Sequence, residues 1–268
     1  MTAPPPPPAG FADHFSGRAA GYAAHRPVYP PALADFLAGA APARELAWDA
    51  GCGSGQLSVV LAGRFARVIA TDASAEQLAV APPHPRITYR RAPAEVSGLP
   101  DGVADLAVAA QAAHWFDLPV YYAEVRRVAR PGAIVALVTY GNMIVDDAVD
   151  PVIGRFYAQV LGRYWAPGRR HVEDGYRSLP FPFDECASPA LEISARWALP
   201  HVLGYVGTWS AVRALEQTEG PAPLAAFAHD LARVWGPEET VRAVRWPLSL
   251  RVGRVARRPE GRYHPATS

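Results

Sequence analysis

Short, nearly uninterrupted apolar runs alternate with amphipathic stretches through the first half of the chain. Residues 45–50, 68–71, 87–90, 105–110 and 133–140 read as five strands, of which 68–71 and 105–110 have the length and apolar content of buried parallel strands. Between them, Pro31–Ala40 opens with proline, which favours a helix start. The stretches 57–64, 75–81 and 119–129 also read as helices; the middle one ends at the cluster Pro82, Pro83, Pro85. Arg130-Pro131-Gly132 reads as the turn before the fifth strand. This alternation predicts an α/β fold, a doubly wound, mostly parallel sheet with helices on both faces.

After Tyr140 the alternation lapses. Residues 142–187 are rich in aromatics, arginine and proline. A strand is expected over 191–199, helices over 203–217 and 224–235, and a final strand over 244–255, where apolar and polar residues alternate. The expected organisation is an N-terminal arm (1–30), a cofactor-binding core (31–141), a helical cap (142–187), the last strands with further cap helices (188–258) and a tail (259–268). No internal repeat is visible.

The strongest chemical signal is WDAGCGSGQL, from Trp48 to Leu57, followed 17 residues after Gly55 by Asp72 at the end of the second apolar run. A glycine loop after one strand and an acid at the tip of the next are the parts that hold an adenosine: the acid reaches the ribose diol. Gly51, Gly53 and Gly55 are spaced G-x-G-x-G, unlike the G-x-G-x-x-G of most dinucleotide enzymes. Asp49 at the loop entrance would repel a pyrophosphate and attract an ammonium. No Gly-Lys-Ser/Thr ending is present, and the chain has no lysine at all. The pattern therefore points to S-adenosylmethionine, which has a sulfonium, an amino-acid tail and no phosphate. A plain strand-to-helix turn is the structural alternative for the loop, and a nicotinamide-dependent oxidoreductase is the competing chemistry.

Composition narrows the setting. With 268 residues and half of them apolar, the chain can bury a large core with a cap. Its formal charge of +1 carries no footprint for nucleic acid or an anionic membrane. No stretch is apolar and long enough to span a bilayer. MTAPPPPPAG lacks the features of a signal peptide and reads as a polyproline lead-in. Two cysteines, one of them Cys52 inside the glycine loop, fit a reducing, cytoplasmic setting and offer no metal site.

Three segments resemble the class I S-adenosylmethionine-dependent methyltransferases: WDAGCGSGQL, TDASAEQLAVA from Thr71, and APAEVSGLPDGVADLAVAAQAAHWF from Ala92. QAAHWF followed by YYAEVRRVARPGA is similar to the small-molecule subgroup that includes the trans-aconitate and cantharidin-resistance methyltransferases, and the likeness extends through YRSLPFPF, GTWSAV and WPLSLRVGR. It implies a seven-stranded sheet with a reversed final hairpin. The position that usually reads LKPGG in that subgroup reads ARPGA from Ala129, with no evident chemical consequence.

Roles follow residue by residue. Asp72 has lone pairs for both ribose hydroxyls; capping the next helix is its bland alternative. The three glycines admit the methionine part to the backbone, and Asp49 is expected to hold its ammonium. Gln56, Ala73 and Gln77 complete that side. The resemblance puts adenine contacts at Ala94 and Glu95, and folds an arm bearing Tyr22 and Arg26 over the cofactor, with Arg26 on its carboxylate. Gln111, Ala112, His114 and Trp115 follow the fourth strand, whose carboxyl end faces the ligand crevice. His114, titrating near neutrality, is the candidate general base; a wall histidine is the alternative. In the cap, Tyr164, Trp165, Arg169, Arg170 and Tyr176 form the candidate acceptor site, where an arginine fork would suit a small acid. Trp209 is expected to be core.

The expected function is transfer of a methyl group to an oxygen, carboxylate or hydroxyl, of a small molecule, with no nucleic-acid or membrane partner. N- or C-methylation, or cofactor binding without turnover, are the alternatives. Acceptor and oligomeric state are not legible.

Overall fold

The computed structural model describes residues 26–256. Tyr22, the proline run and the tail from residue 259 lie outside them. Helix α1 (Pro31–Ala40) leads into β1 (Leu46–Ala50), α2 (Gln56–Ala62), β2 (Arg67–Asp72), α3 (Ala75–Ala79), β3 (Ile87–Arg91), β4 (Ala104–Ala110), α4 (Leu118–Val128) and β5 (Ala129–Tyr140). There follow α5 (Asp150–Arg155), α6 (Arg169–Glu173), β6 (Asp184–Glu185), β7 (Glu192–Trp197), α7 (Leu199–Gly207), α8 (Ser210–Glu219), α9 (Ala222–Trp235) and β8 (Arg242–Arg254).

The sheet runs β3-β2-β1-β4-β5-β8, with β7 and the two-residue β6 also on β8. The first five strands are parallel, and β8 is antiparallel to its neighbours. Apart from the short β6, this is the seven-stranded, mostly parallel sheet with a reversed last strand that the sequence implied. β8 pairs with β7 from Arg242 to Pro247 and with β5 from Leu248 to Arg254. Pro247, which has no N–H to donate, stands where the strand changes partner.

Side chains alternate across the sheet with the period of two that strands impose. On β5, Ile134, Ala136, Val138 and Tyr140 join the core under α1, α2 and the cap helices. Ala133, Val135 and Leu137 join Trp48, Tyr121 and Val125 on the other face, under α4. Both faces are covered, which is why these strands read as continuous apolar runs. Asp105 is the polar exception. Fully buried, it accepts hydrogen bonds through Oδ2 from the backbone N–H groups of Glu45 (2.8 Å) and Leu46 (3.0 Å), and through Oδ1 from Arg130 (3.1 Å). Arg130 thus has a structural task, tying the start of β5 to β1 and β4.

Two sequence expectations are corrected. Arg130-Pro131-Gly132 is not a turn before β5 but an irregularity inside it. The β4–β5 register jumps from Ala104↔Ala129 to Leu106↔Ile134, and Gly132, at φ +80°, absorbs the extra residues. The single helix expected over 203–217 is two helices, α7 and α8. The chain breaks at Trp209, which is extended (φ −70°, ψ 137°) so that its indole packs against Tyr157, Trp165 and Tyr205. Trp209 is core, as expected. The cap segment is anchored by Phe156, stacked on Phe227 of α9 at 4.1 Å between ring centroids. No helix among the described residues is long and apolar enough to cross a membrane.

Candidate functional site

β1 lies between β2 and β4, so connections leave it in opposite directions and a crevice opens at the carboxyl ends of β1 and β4. The glycine loop occupies that point. Gly51 and Cys52 donate backbone N–H groups to the Thr71 carbonyl (2.8 and 3.0 Å), fastening the loop to β2. The three glycines do different work. At Gly51 (φ +67°) a Cβ would lie 2.6 Å from Cβ of Ala112, so the close packing of that side chain demands glycine there. At Gly55 (φ +84°) a Cβ would collide with the Tyr89 phenol. At Gly53 (φ +55°) a Cβ would come no closer than 3.9 Å to its non-adjacent neighbours among the described residues, the nearest being Oε1 of Gln56 and of Gln77. The loop is therefore closed on two sides and open at Gly53.

Two carboxylates flank the opening. Asp72 accepts from the Gly53 N–H through Oδ2 and from the Ser74 N–H through Oδ1, each at 2.8 Å. The cap of α3 is Ser74, whose hydroxyl accepts from the Gln77 N–H (3.3 Å), so Asp72 is not occupied as a helix cap. Asp49 is buried. Its Oδ2 accepts from Ser58 Oγ at 2.6 Å, while Oδ1 has no hydrogen-bond partner among the described residues. Burial pushes the Asp49 carboxyl up to about 7, Ser58 opposes this, and the charge of Asp72 adds to it. Burying a carboxylate oxygen unpaired is costly. A cationic donor at the loop would relieve both the missing bond and the repulsion between the two acids. That donor set fits a phosphate-free cofactor with an ammonium and a ribose.

The remaining cofactor-side candidates surround this loop. Gln56 donates to Ser54 Oγ (2.9 Å), and Gln77 is buried. The Ala73 carbonyl accepts from Arg91 (3.2 Å). Ala94 is buried beside Glu95, whose carboxylate accepts the Asp117 N–H at 2.8 Å at the start of α4; it is not a freely solvated loop glutamate. Ala112 is buried against Gly51. Gln111 turns the chain at the end of β4 with φ +54°, its amide donating to the Tyr140 carbonyl and accepting from Thr139 Oγ1, both at 2.8 Å. Arg26 lies over the Tyr205 ring at 5.7 Å. Tyr22 is outside the described residues.

His114 sits in the short 3-10 turn Ala113–Trp115, with Nδ1 2.7 Å from the Tyr176 phenol and its ring 4.9 Å from the half-exposed Trp115. It does not titrate near neutrality, contrary to expectation. Burial first, then the positive charge of Arg169 and the proximity of His171, lower its pKa to about 3. A ring so hard to protonate is a hydrogen-bond acceptor or donor at neutral pH and a weak general base.

The cap candidates separate in space. Tyr164 bonds to Glu219 of α8 together with Arg163 on the outer surface. Arg170 is exposed. Tyr176 is fully buried rather than lining an open pocket, in the left-handed region at φ +64°, and its carbonyl accepts from Arg251 (3.2 Å). Trp165 and Arg169 stack, with the guanidinium 4.6 Å from the indole. Tyr29, Tyr140, Tyr157 and Tyr205 were not singled out from sequence. Tyr29 is buried where Asp49, Tyr140, Tyr176 and Arg26 all act on its phenol, whose pKa burial raises. A polar depression of about 460 Å³ between Glu173–Arg177 and β8 is lined by none of the residues expected from sequence.

Comparison with known proteins accords with this geometry. A methyltransferase-domain family model matches residues 48–137, from within β1 into β5. A Dictyostelium discoideum protein named as a methyltransferase is 33% identical over 218 residues, 80% of this chain and 83% of its own. A solved structure described as a type II methyltransferase from Anaeromyxobacter dehalogenans is 52% identical, covers 87% of this chain and 99% of that one, and superposes with a TM-score of 0.81. Over a shorter stretch of 96 residues, 35% of this chain and 38% of the relative, the malonyl-[acyl-carrier protein] O-methyltransferase of Pectobacterium atrosepticum is 35% identical.

Proposed function

Because the chain belongs to the class I S-adenosylmethionine-dependent methyltransferases, we propose that it moves the methyl group to an oxygen, carboxylate or hydroxyl, of a small molecule. The observation that carries this reading is the placement of two unlike groups of side chains. Asp49 and Asp72 flank the open glycine, while the residues after β4 and in the cap, His114, Tyr176, Trp165 and Arg169, cluster next to one another. The bound cofactor supplies an already activated methyl on its sulfonium. The protein's work is alignment and exclusion of water.

On the cofactor side, Asp72 accepts the ribose hydroxyls, Asp49 accepts the ammonium, and Gly51, Gly53 and Gly55 leave the backbone bare beside the methionine part. Gln56, Ala73 and Gln77 adjoin it; Ala94 and Glu95 serve the adenine; Gln111, Ala112 and Trp115 close the far wall. Tyr22 and Arg26 serve from the arm, Arg26 toward the carboxylate. Oxygen is favoured as the nucleophile, and a carboxylate above all. His114 holds a proton poorly, so an acceptor already anionic at neutral pH suits it best. The O-methyltransferase relative and the YRSLPFPF segment support an oxygen acceptor and the small-molecule subgroup. The division proposed with this function is an arm to residue 30, a cofactor-binding core to 141 and a cap to 187, and two free thiols, Cys52 and Cys186, support a cytoplasmic setting. Incubation with labelled methyl donor and a panel of small acids, phenols and amines tests the reading. Labelled ester or ether is the expected product; transfer confined to amines, or none, refutes it.

A further inference from the structure

Arg169 is the one member of the expected acceptor site whose donors stand ready. Its Nε donates to the Tyr157 hydroxyl at 2.6 Å, and that hydroxyl donates to Glu173 at 2.7 Å. The guanidinium is held 4.6 Å from the Trp165 ring and 5.3 Å from the Tyr157 ring. Among the described residues, Nη1 and Nη2 make no hydrogen bond. The side chain is thus locked by stacking and by one nitrogen, with its outer edge unused. That edge is the two-pronged face that matches a carboxylate.

Its location is the acceptor side of the crevice. Gly168 packs against the turn that carries His114, so closely that a Cβ there would lie 3.0 Å from the His114 carbonyl. The Arg169 charge is felt at His114, Tyr176 and Tyr205. Among the described residues no acid bonds it directly, since Glu173 reaches it through Tyr157. Arg170, next in sequence, points to the surface and has no such setting.

We infer that Arg169 selects the acceptor by gripping a carboxylate on it through Nη1 and Nη2, so that the enzyme's substrates are organic acids. This rests on the methyl-transfer reading above and names the substrate class of that site. A pre-ordered fork loses little side-chain freedom on binding, and stacking on Trp165 and Tyr157 keeps it from collapsing onto Glu173.

Calorimetric titration of full-length protein saturated with S-adenosylhomocysteine tests it, using phenylacetate, cinnamate, succinate and octanoate, each beside its amide. At least one acid is expected to bind tenfold or more tightly than its amide. In Arg169→Met that preference falls to within twofold, while affinity for S-adenosylhomocysteine stays within twofold of wild type. Arg169→Lys, which keeps the charge without the fork, recovers part of the preference. The acid and amide titrations are repeated without S-adenosylhomocysteine, so that a failure to bind it, which overturns the methyl-transfer reading, does not hide the result for Arg169. No acid exceeding its amide, or an acid preference retained in Arg169→Met, overturns the inference.

Discussion

The phenol oxygen of Tyr176 lies 2.7 Å from Nδ1 of His114, and Tyr176 holds that position with a left-handed backbone at φ +64°. A side chain other than glycine or asparagine pays roughly 1–2 kcal/mol for such a conformation. The surrounding contacts hold it there, among them the bond from Arg251 to the Tyr176 carbonyl. This pair, together with the packing of Gly168 on the His114 carbonyl, joins the cap to the turn after β4.

Tyr176→Phe should lower stability by about 1–3 kcal/mol, because it leaves His114 Nδ1 without its partner. In a double-mutant cycle with His114→Phe, the two changes should show a coupling of about 1 kcal/mol by chemical denaturation. Strict additivity would mean that the bond contributes nothing.

Asp49 gives a pH-dependent signature. Its folded-state pKa of about 7 lies above the unfolded carboxylate value of roughly 4. The folded state therefore holds the extra proton between those values, and this group's effect is to lower stability as pH rises from about 4 to about 7. His114 acts in the opposite sense. Its folded pKa of about 3 lies below the unfolded value of roughly 6.5, so its stability term is present above 6.5 and is lost as pH falls through that window. In the wild type the two slopes oppose each other. Asp49→Asn keeps an acceptor for Ser58 and never buries a charge. At pH 8 without cofactor it should melt several degrees higher than wild type, and its stability should show the His114 slope unmasked below pH 6.5. The same variant should bind S-adenosylhomocysteine more weakly. A lower melting temperature at pH 8 would show that Asp49 is not an unpaired buried charge.

The glycines separate packing from binding. Gly51→Ala should cost about 2–4 kcal/mol, since a Cβ 2.6 Å from Ala112 forces β1 and the turn after β4 apart at a left-handed position. Gly53→Ala should cost only about 1 kcal/mol, for its positive φ, yet weaken cofactor binding more than its small destabilisation explains. Equal melting temperatures for the two variants would contradict this division.

Much of the fold was readable because both faces of the central strands are covered. The boundaries of α1 coincide with the proline-led apolar stretch, and β1 to β4 fall within about a residue of their apolar runs. Where the reading slipped, tertiary contacts overrode local pattern. Pro131 and Gly132 looked like a turn, but the Arg130–Asp105 bond holds them in the sheet. An amphipathic period ran on through 203–217, but seating Trp209 among Tyr157, Trp165 and Tyr205 broke the helix. In the site, the loop glycines and Asp72 stood out by spacing. Tyr29, Tyr157 and Tyr205 carry no local signature, since their meaning comes from long-range neighbours. Nor could sequence separate Arg169 from Arg170: only the partner Tyr157 and the stacked Trp165 distinguish them.

The acids on either side of Gly53 are the heart of the site, and titration calorimetry of S-adenosylhomocysteine into wild type and Asp72→Ala examines them most directly. One molecule should bind per wild-type chain, and at least tenfold more weakly to the variant, about 1.4 kcal/mol, as the ribose acceptor is lost. Equal affinity in the two proteins, or no binding by the wild type, would contradict it.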